Sequence, residues 1–277
     1  METGKRGPSR RVVMLVWVLG LILLWELGAT VVGATKRTPE NVMPHLWQIA
    51  ASVVDPKPVS GGMTTAQVVL TAAGQTLSRA GIGFLVGMAV GFALAILMKL
   101  SRIVEKIAFP YLMLIQMVPI LGMAPIVLAI TKDIDVSRVV IAAILTFYPV
   151  STSVLAGLKS VEGEKLDLMY LCAASKLQVY WKTLLPACIP HFFTGLKIAA
   201  PMAITASILV DTLQGDGGLG CMLSQSLKHA MSIYVFWEIV FFSAIIGVAA
   251  AWLMGYLERR FSPHKRLERV RKAGVTP

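Results

Sequence analysis

Between Arg138 and Lys159 the chain reads VVIAAILTFYPVSTSVLAGL, residues 139–158, twenty positions without one Asp, Glu, Lys or Arg. At about 1.5 Å of rise per residue, a helix of that length covers about 30 Å, the thickness of a bilayer's hydrocarbon core. Buried soluble strands are shorter, and soluble helices carry charge on an outward face, so the stretch reads as a membrane-crossing helix. The charges at its two ends stand where headgroups begin.

Working outward, comparable apolar runs occur at Val12–Val32, Ala80–Leu97, Tyr111–Ile130, Phe193–Val210 and Ile233–Tyr256. Together they predict an all-α membrane protein with about six spans, organised as one transmembrane domain over residues 1–277. Composition agrees: 56% of the residues are hydrophobic and 15% charged, and the mean hydropathy is +0.72. A soluble domain carries about 25% charged residues, and a disordered chain is far less apolar.

The net charge of +11 would suggest nucleic acid in a soluble protein. In a membrane protein, Lys and Arg gather in cytoplasmic loops, and no polyanion is required. Placing the N-terminus inside puts 18 basic residues on the cytoplasmic side against 6 outside, with Arg79 and Lys197 near or within spans. The distribution predicts an N-in, C-in, multi-pass membrane protein. The first run follows Lys5, Arg6, Arg10 and Arg11 and ends near Val32-Gly33-Ala34, which resembles a signal-cleavage site. It is longer than a signal core and contains Glu26, so a retained helix is expected. Cys172, Cys188 and Cys221 form no CxxC pair, and no disulfide framework or metal site is expected.

Two connections carry further information. Residues 35–77 form an external stretch in which His45–Val54 reads as a short amphipathic helix, with Pro44 suited to its first turn. Residues 159–185 form a cytoplasmic loop of helical composition, with Leu166, Met169, Tyr170 and Ala173 spaced as one apolar stripe. Such a stripe packs either on the protein's own span ends or into a cytoplasmic partner, and spacing leaves both open.

Within that loop, DLMYLCAASKLQVYWKTLLP (residues 167–186) resembles the coupling motif of ABC importer permeases: EAA, three residues, Gly, nine residues, Ile, one residue, Leu-Pro. Asp167 stands at the Glu, Ala173 at the Gly, Thr183 at the Ile, and Leu185-Pro186 at the closing pair. Leu24-Trp25-Glu26, Pro119, Ala124-Pro125, Phe147-Tyr148-Pro149, Gly157-Leu158-Lys159-Ser160-Val161, Thr194-Gly195-Leu196-Lys197, Gly218-Leu219-Gly220 and Leu257-Glu258-Arg259-Arg260 resemble, in order, the nitrate, sulfonate and taurine branch of that family.

The resemblance implies a type I ABC importer permease fold and the import of a small solute, such as nitrate, a sulfonate or taurine, or a similar anion. It further implies pairing with a second permease copy, two ATPase subunits and an extracytoplasmic solute-binding protein, amid membrane lipid. Asp167, Ala173, Ala174, Ser175, Lys176, Leu185 and Pro186 would form the ATPase-coupling site. Asp167 would cap the start of the coupling helix or meet a basic residue of the partner. ATP and Mg would belong to the partner ATPase. Consistently, no GxxxxGK[ST] phosphate loop occurs in this chain, which has no expected cofactor or enzymatic activity of its own.

A substrate path is expected between spans three, four and five, where Gln116, Met117, Met123, Thr146, Ser151, Thr205 and Ser207 interrupt or soften the apolar runs. Asp211, at the outer end of span five, is a candidate for the outer mouth, ahead of a turn at Gly215, Gly217, Gly218 and Gly220. Glu26 and Glu238 are expected to reach toward the headgroups and Lys197 to snorkel. Two other classes compete: an ion-driven secondary transporter and an intramembrane enzyme. His45, His191, His229 and His264 lack HExxH spacing, no GxSxG elbow is present, and the acidic residues sit toward span ends.

Overall fold

The computed structural model describes residues 10–214, 217–228 and 232–262. Lys5, Arg6, Gly215, His229 and His264 lie outside the described residues, as do the basic positions beyond residue 262. The described chain is almost wholly helical. Five helices are long and apolar enough to cross a membrane, and a bent pair makes a sixth span if counted as one.

The chain divides into two compact units, Met1–Val69 with Gln225–Ile239, and Leu70–Ser224 with Val240–Pro277. In the first unit, α1 (Arg10–Thr35) is apolar all round, and nearly all of its side chains from Val12 onward are exposed. An apolar surface exposed along most of a helix of this length suits the lipid around a membrane span. A short external helix, α2 (Leu46–Val54), follows, and then a two-stranded ribbon of β1 (Pro58–Ser60) and β2 (Met63–Thr64). His45 is the residue ahead of α2, so Pro44 precedes the helix instead of occupying its first turn.

Glu26 and Glu238 do not point to headgroups. The Glu26 carboxylate accepts the Leu46 N–H at 2.9 Å and lies 2.6 Å from His45 Nδ1, closing the open donors at the start of α2. Glu238 takes the Ser52 hydroxyl on the same short helix. Trp25 adds a bond from its indole N–H to the Pro44 carbonyl at 3.0 Å and packs edge-on against Trp237. Two carboxylates from spanning helices thus hold α2 at both ends.

The second unit contains α3 (Thr65–Leu100) from Leu70 onward, α4 (Arg102–Met117), α5 (Ile120–Thr131), α6 (Ile134–Lys159), α7 (Gly163–Leu171), α8 (Lys176–Val179) and α9 (Leu185–Gln214). It also holds most of α10 (Leu219–Leu227) and α11 (Ile233–Phe261). The expected third span is not one straight helix. Val118 is extended before Pro119, where the α region is disfavoured, and the two halves bend by 113°. Asp133 caps α6 by accepting the Val136 N–H at 2.9 Å, and Lys159 in its last turn matches the negative end of the helix dipole.

Packing between spans rests on small residues, as expected where lipid removes any hydrophobic drive for helices to associate. Gly83, Gly87 and Gly91, four apart on α3, meet the carbonyls of Val139, Ala143 and Phe147 on α6 so closely that an added Cβ would collide. On the other side of α6, Gly157 lies against Cys188 and His191 of α9, and Gly195 of α9 against Pro149 and Ser153. Val150, Val154, Leu158, Cys188 and Ala199 are buried along this α6–α9 seam.

Candidate functional site

The cytoplasmic end of the second unit presents α7 and the helix that follows. Leu166 and Met169 of α7 pack into the core, so part of the stripe serves the protein's own span ends. Leu168, Tyr170 and Leu171 point outward, Leu171 being 84% exposed, and Leu177 and Trp181 extend that apolar surface onto the next helix. One face of the loop thus packs on the protein's own span ends, and the other leaves apolar side chains exposed.

Ala173 is not a member of the helical stripe. It lies beyond the end of α7 with φ of 53°, in the left-handed region. Its N–H donates to the Tyr170 carbonyl at 2.9 Å, and the Ala174 N–H donates to Met169 at 3.0 Å, the paired bonds that close a helix C-terminus. Glycine suits such a position because it has no Cβ to strain, which is the physical reason for Gly in the importer pattern and gives this chain's Ala a small cost. Ser175 then opens the next helix: its hydroxyl accepts the Gln178 N–H at 3.3 Å, and the Gln178 side chain accepts the Ser175 N–H at 2.8 Å. The ladder from Lys176 widens to a π turn at Tyr180–Leu184, where the Leu185 N–H reaches Tyr180 directly ahead of Pro186, which has no N–H to donate. Leu185 and Pro186 are half-buried.

Asp167 lies in the middle of α7, five residues into the helix, with Glu162 at the N-cap position. It therefore cannot cap the helix start. The side chain is exposed.

At the opposite end of the same unit is a buried ionic cluster. Arg138 Nε of α6 lies 2.9 Å from Asp211 Oδ1 of α9, and both side chains are fully buried. Arg79 of α3 stands 3.7 Å from the same oxygen and 2.8 Å from Asp135 Oδ1, to which Arg138 also reaches at 3.0 Å. Thr76 donates its hydroxyl to Asp211 Oδ2 at 2.7 Å and accepts the Leu219 N–H at 2.9 Å. Gln75 accepts the Gly218 N–H at 2.8 Å. Gly218 has φ of +88°, and a Cβ there would strike the Asp211 carboxylate, so only glycine allows the turn to close on the acid. Removing one member of such a buried pair costs about 3–5 kcal/mol.

The remaining path candidates are not brought into one cleft. Thr146, Ser151 and Ser207 are fully buried. Their hydroxyls bond to the carbonyls of Ala142 at 2.8 Å, Phe147 at 2.7 Å and Thr76 at 3.3 Å. Together with Asp211 they lie inside the wall of the unit and not on its surface. Gln116 and Met117 on α4 are exposed and Met123 on α5 is half-buried. Tyr148 of α6 donates its hydroxyl to Met113 Sδ at 3.3 Å, joining the α4 face to α6. Thr205 lies in a separate apolar groove of about 440 Å³ between α9 and α11, lined also by Ile204, Ser243 and Gly247. Lys197 does not snorkel; it pairs with Glu258 of α11 at 2.5 Å. Among the described residues, no group of three or more His, Cys, Asp or Glu side chains is arranged to hold a metal ion.

Arg138 and Thr76 were absent from the sequence-derived candidates. Arg138 reads as a loop cation at a span boundary, and only folding shows which acid it meets. The glycines at 217, 218 and 220 were the one available signal that something approaches closely there.

The family profile described as "Binding-protein-dependent transport system inner membrane component" matches residues 83–263. The formylaminopyrimidine transport permease protein ThiX of Halalkalibacterium halodurans is 27% identical over 85% of this chain and 90% of its own length. The nitrate import permease protein NrtB of Leptolyngbya laminosa is 25% identical over 89% of this chain and 86% of its own. The taurine transport system permease protein TauC of Escherichia coli is 28% identical over 68% of each chain. Among solved structures, an amino acid ABC transporter superposes with a TM-score of 0.60 at 17% identity, covering 71% of this chain and 95% of that one. The MetNI methionine ABC transporter in inward-facing conformations gives 0.57 at 18% identity, covering 70% and 96%. At these identities the two structures speak for the fold.

Proposed function

The chain belongs to the inner-membrane component family of binding-protein-dependent transport systems, and from that premise we propose a specific division of labour among its residues. It is a permease subunit of an ABC importer in the inner membrane, not an enzyme, and it works with a separate ATPase and a solute-binding protein.

The observation that carries the proposal is the outward apolar face of α7 and the following helix, Leu168, Tyr170, Leu171, Leu177 and Trp181, on a part of the chain that the charge distribution places in the cytoplasm. Exposed apolar surface in water marks an interaction site. Two ATPase subunits, carrying ATP and Mg, grip this face on a permease pair made of two copies of the chain. Ala173, Ala174, Ser175 and Lys176 form the connection that fixes its angle, and Leu185-Pro186 seats it on α9. Because α7 joins α6 to α9, ATPase closure tilts both spans together.

The solute passes along the exposed side of α4 and α5, at Gln116, Met117 and Met123. Thr205 lies apart in the α9–α11 groove, and the buried Thr146, Ser151, Ser207 and Asp211 brace the walls. A small anion is supported by relatives named for nitrate and taurine. An uncharged ring compound is favoured by a different observation: Arg79, Arg138 and Lys197 are each paired with a carboxylate, and a relative is named for formylaminopyrimidine.

The test is purification of the tagged chain in mild detergent with mass spectrometry of its companions, followed by uptake competition with nitrate, taurine and a pyrimidine. A stoichiometric ATPase is expected. Recovery of the chain alone under cross-linking overturns the importer assignment in favour of an ion-driven transporter.

A further inference from the structure

We propose that Arg138 and Asp211 are positioning residues for transport: they lock the outer ends of α6 and α9 together, so that a displacement of α7 at the cytoplasmic face is delivered to the outer turn at Gly217–Gly220. The inference rests on the importer assignment and deepens it.

The two helices joined by the coupling segment are the same two that the ion pair joins at their far ends. Asp133 begins the N-terminal turn of α6, Arg138 lies one turn in, and Lys159 ends the helix beside α7. Asp211 lies one turn before the end of α9. Between these ends the helices touch at Gly195 against Ser153 and at Gly157 against His191, without room for a Cβ. Three fastenings along about 30 Å leave the pair no independent sliding motion, so it behaves as one lever.

The outer fastening also holds the turn. Thr76 bonds Asp211 on one side and the Leu219 N–H on the other, while Gly218 lies against the Asp211 carboxylate. The turn is thereby tied to the acid that ends the lever. Cys221, the third residue of α10, follows this turn and is 2% exposed.

Cys221 supplies the readout. The full complex with its co-purified ATPase is placed in nanodiscs in a Cys172→Ser background, and the rate of Cys221 labelling by a small charged maleimide is measured without nucleotide and with ATP and vanadate. In the parent, the two rates are expected to differ about fivefold or more. In Asp211→Asn, ATP hydrolysis persists and the two rates converge. Thr76→Val combined with Gln75→Leu, leaving no charge unpaired, removes both side-chain bonds from α3 to the Gly218 and Leu219 N–H groups and gives the same convergence; it decides the matter if Asp211→Asn fails to assemble. A variant that hydrolyses ATP and keeps the parent's difference overturns the proposal, as does a parent complex that shows no difference. A complex without an ATPase sinks the importer assignment, and this inference with it. One that hydrolyses ATP and fails the labelling comparison sinks this inference alone.

Discussion

The Ala174 N–H reaches the Met169 carbonyl at 3.0 Å across Ala173, whose φ of 53° places an L-residue with a Cβ where the importer pattern has glycine. Relief of that strain makes Ala173→Gly stabilising by about 0.5–1 kcal/mol, and a β-branched Ala173→Val destabilising by more. For a chain of this size the glycine variant should raise the thermal midpoint by about 1–3 °C, followed by tryptophan fluorescence in detergent. A lower midpoint for Ala173→Gly would contradict the assigned geometry.

Asp167 is exposed in mid-helix, and among the described residues it has no hydrogen-bond or ion-pair partner. Asp167→Lys is therefore expected to insert and assemble normally while abolishing solute uptake, with ATP hydrolysis by the complex continuing. Uptake at the parent rate would remove Asp167 from the coupling contact.

Close approach of α3 and α6 should be intolerant of one methyl group at Gly87, where a Cβ meets the Ala143 carbonyl and stands 2.6 Å from Thr146 Cβ. Gly87→Ala is expected to cost about 1–3 kcal/mol by overpacking. Gly81→Ala, on the same helix with nothing within 4 Å, should be neutral or stabilising by up to about 1 kcal/mol. Equal midpoints for the two variants would show that the glycine stripe is not a packing seam.

Lys197 and Glu258 hold α9 to α11 through a pair in which the acid is buried and the base one-third exposed. Lys197→Met alone is expected to lose about 1–3 kcal/mol, whereas Lys197→Met combined with Glu258→Gln should recover most of it, because the larger penalty comes from leaving one buried charge behind. Additive losses in the double variant would argue against direct coupling.

The sequence by itself determined the class of protein, because a 20-residue uncharged run has few other stable environments and because basic residues report the sidedness of loops. It also determined the family, through short segments in the right order. It did not determine how polar groups pair. Glu26 and Glu238 read as headgroup-seeking acids until α2 folded back between them, and Lys197 read as snorkelling until Glu258, 61 residues away, was found beside it. Thr146 and Ser151 read as path-lining until their hydroxyls were seen turned onto their own helix. Arg138 and Asp211 are 73 positions apart and carry no local pattern that links them. Hydrophobic length and charge bias are properties of neighbouring residues, so they survive in a one-dimensional reading. The partner of a buried charge is chosen by which helices pack, and that choice exists only in the tertiary structure.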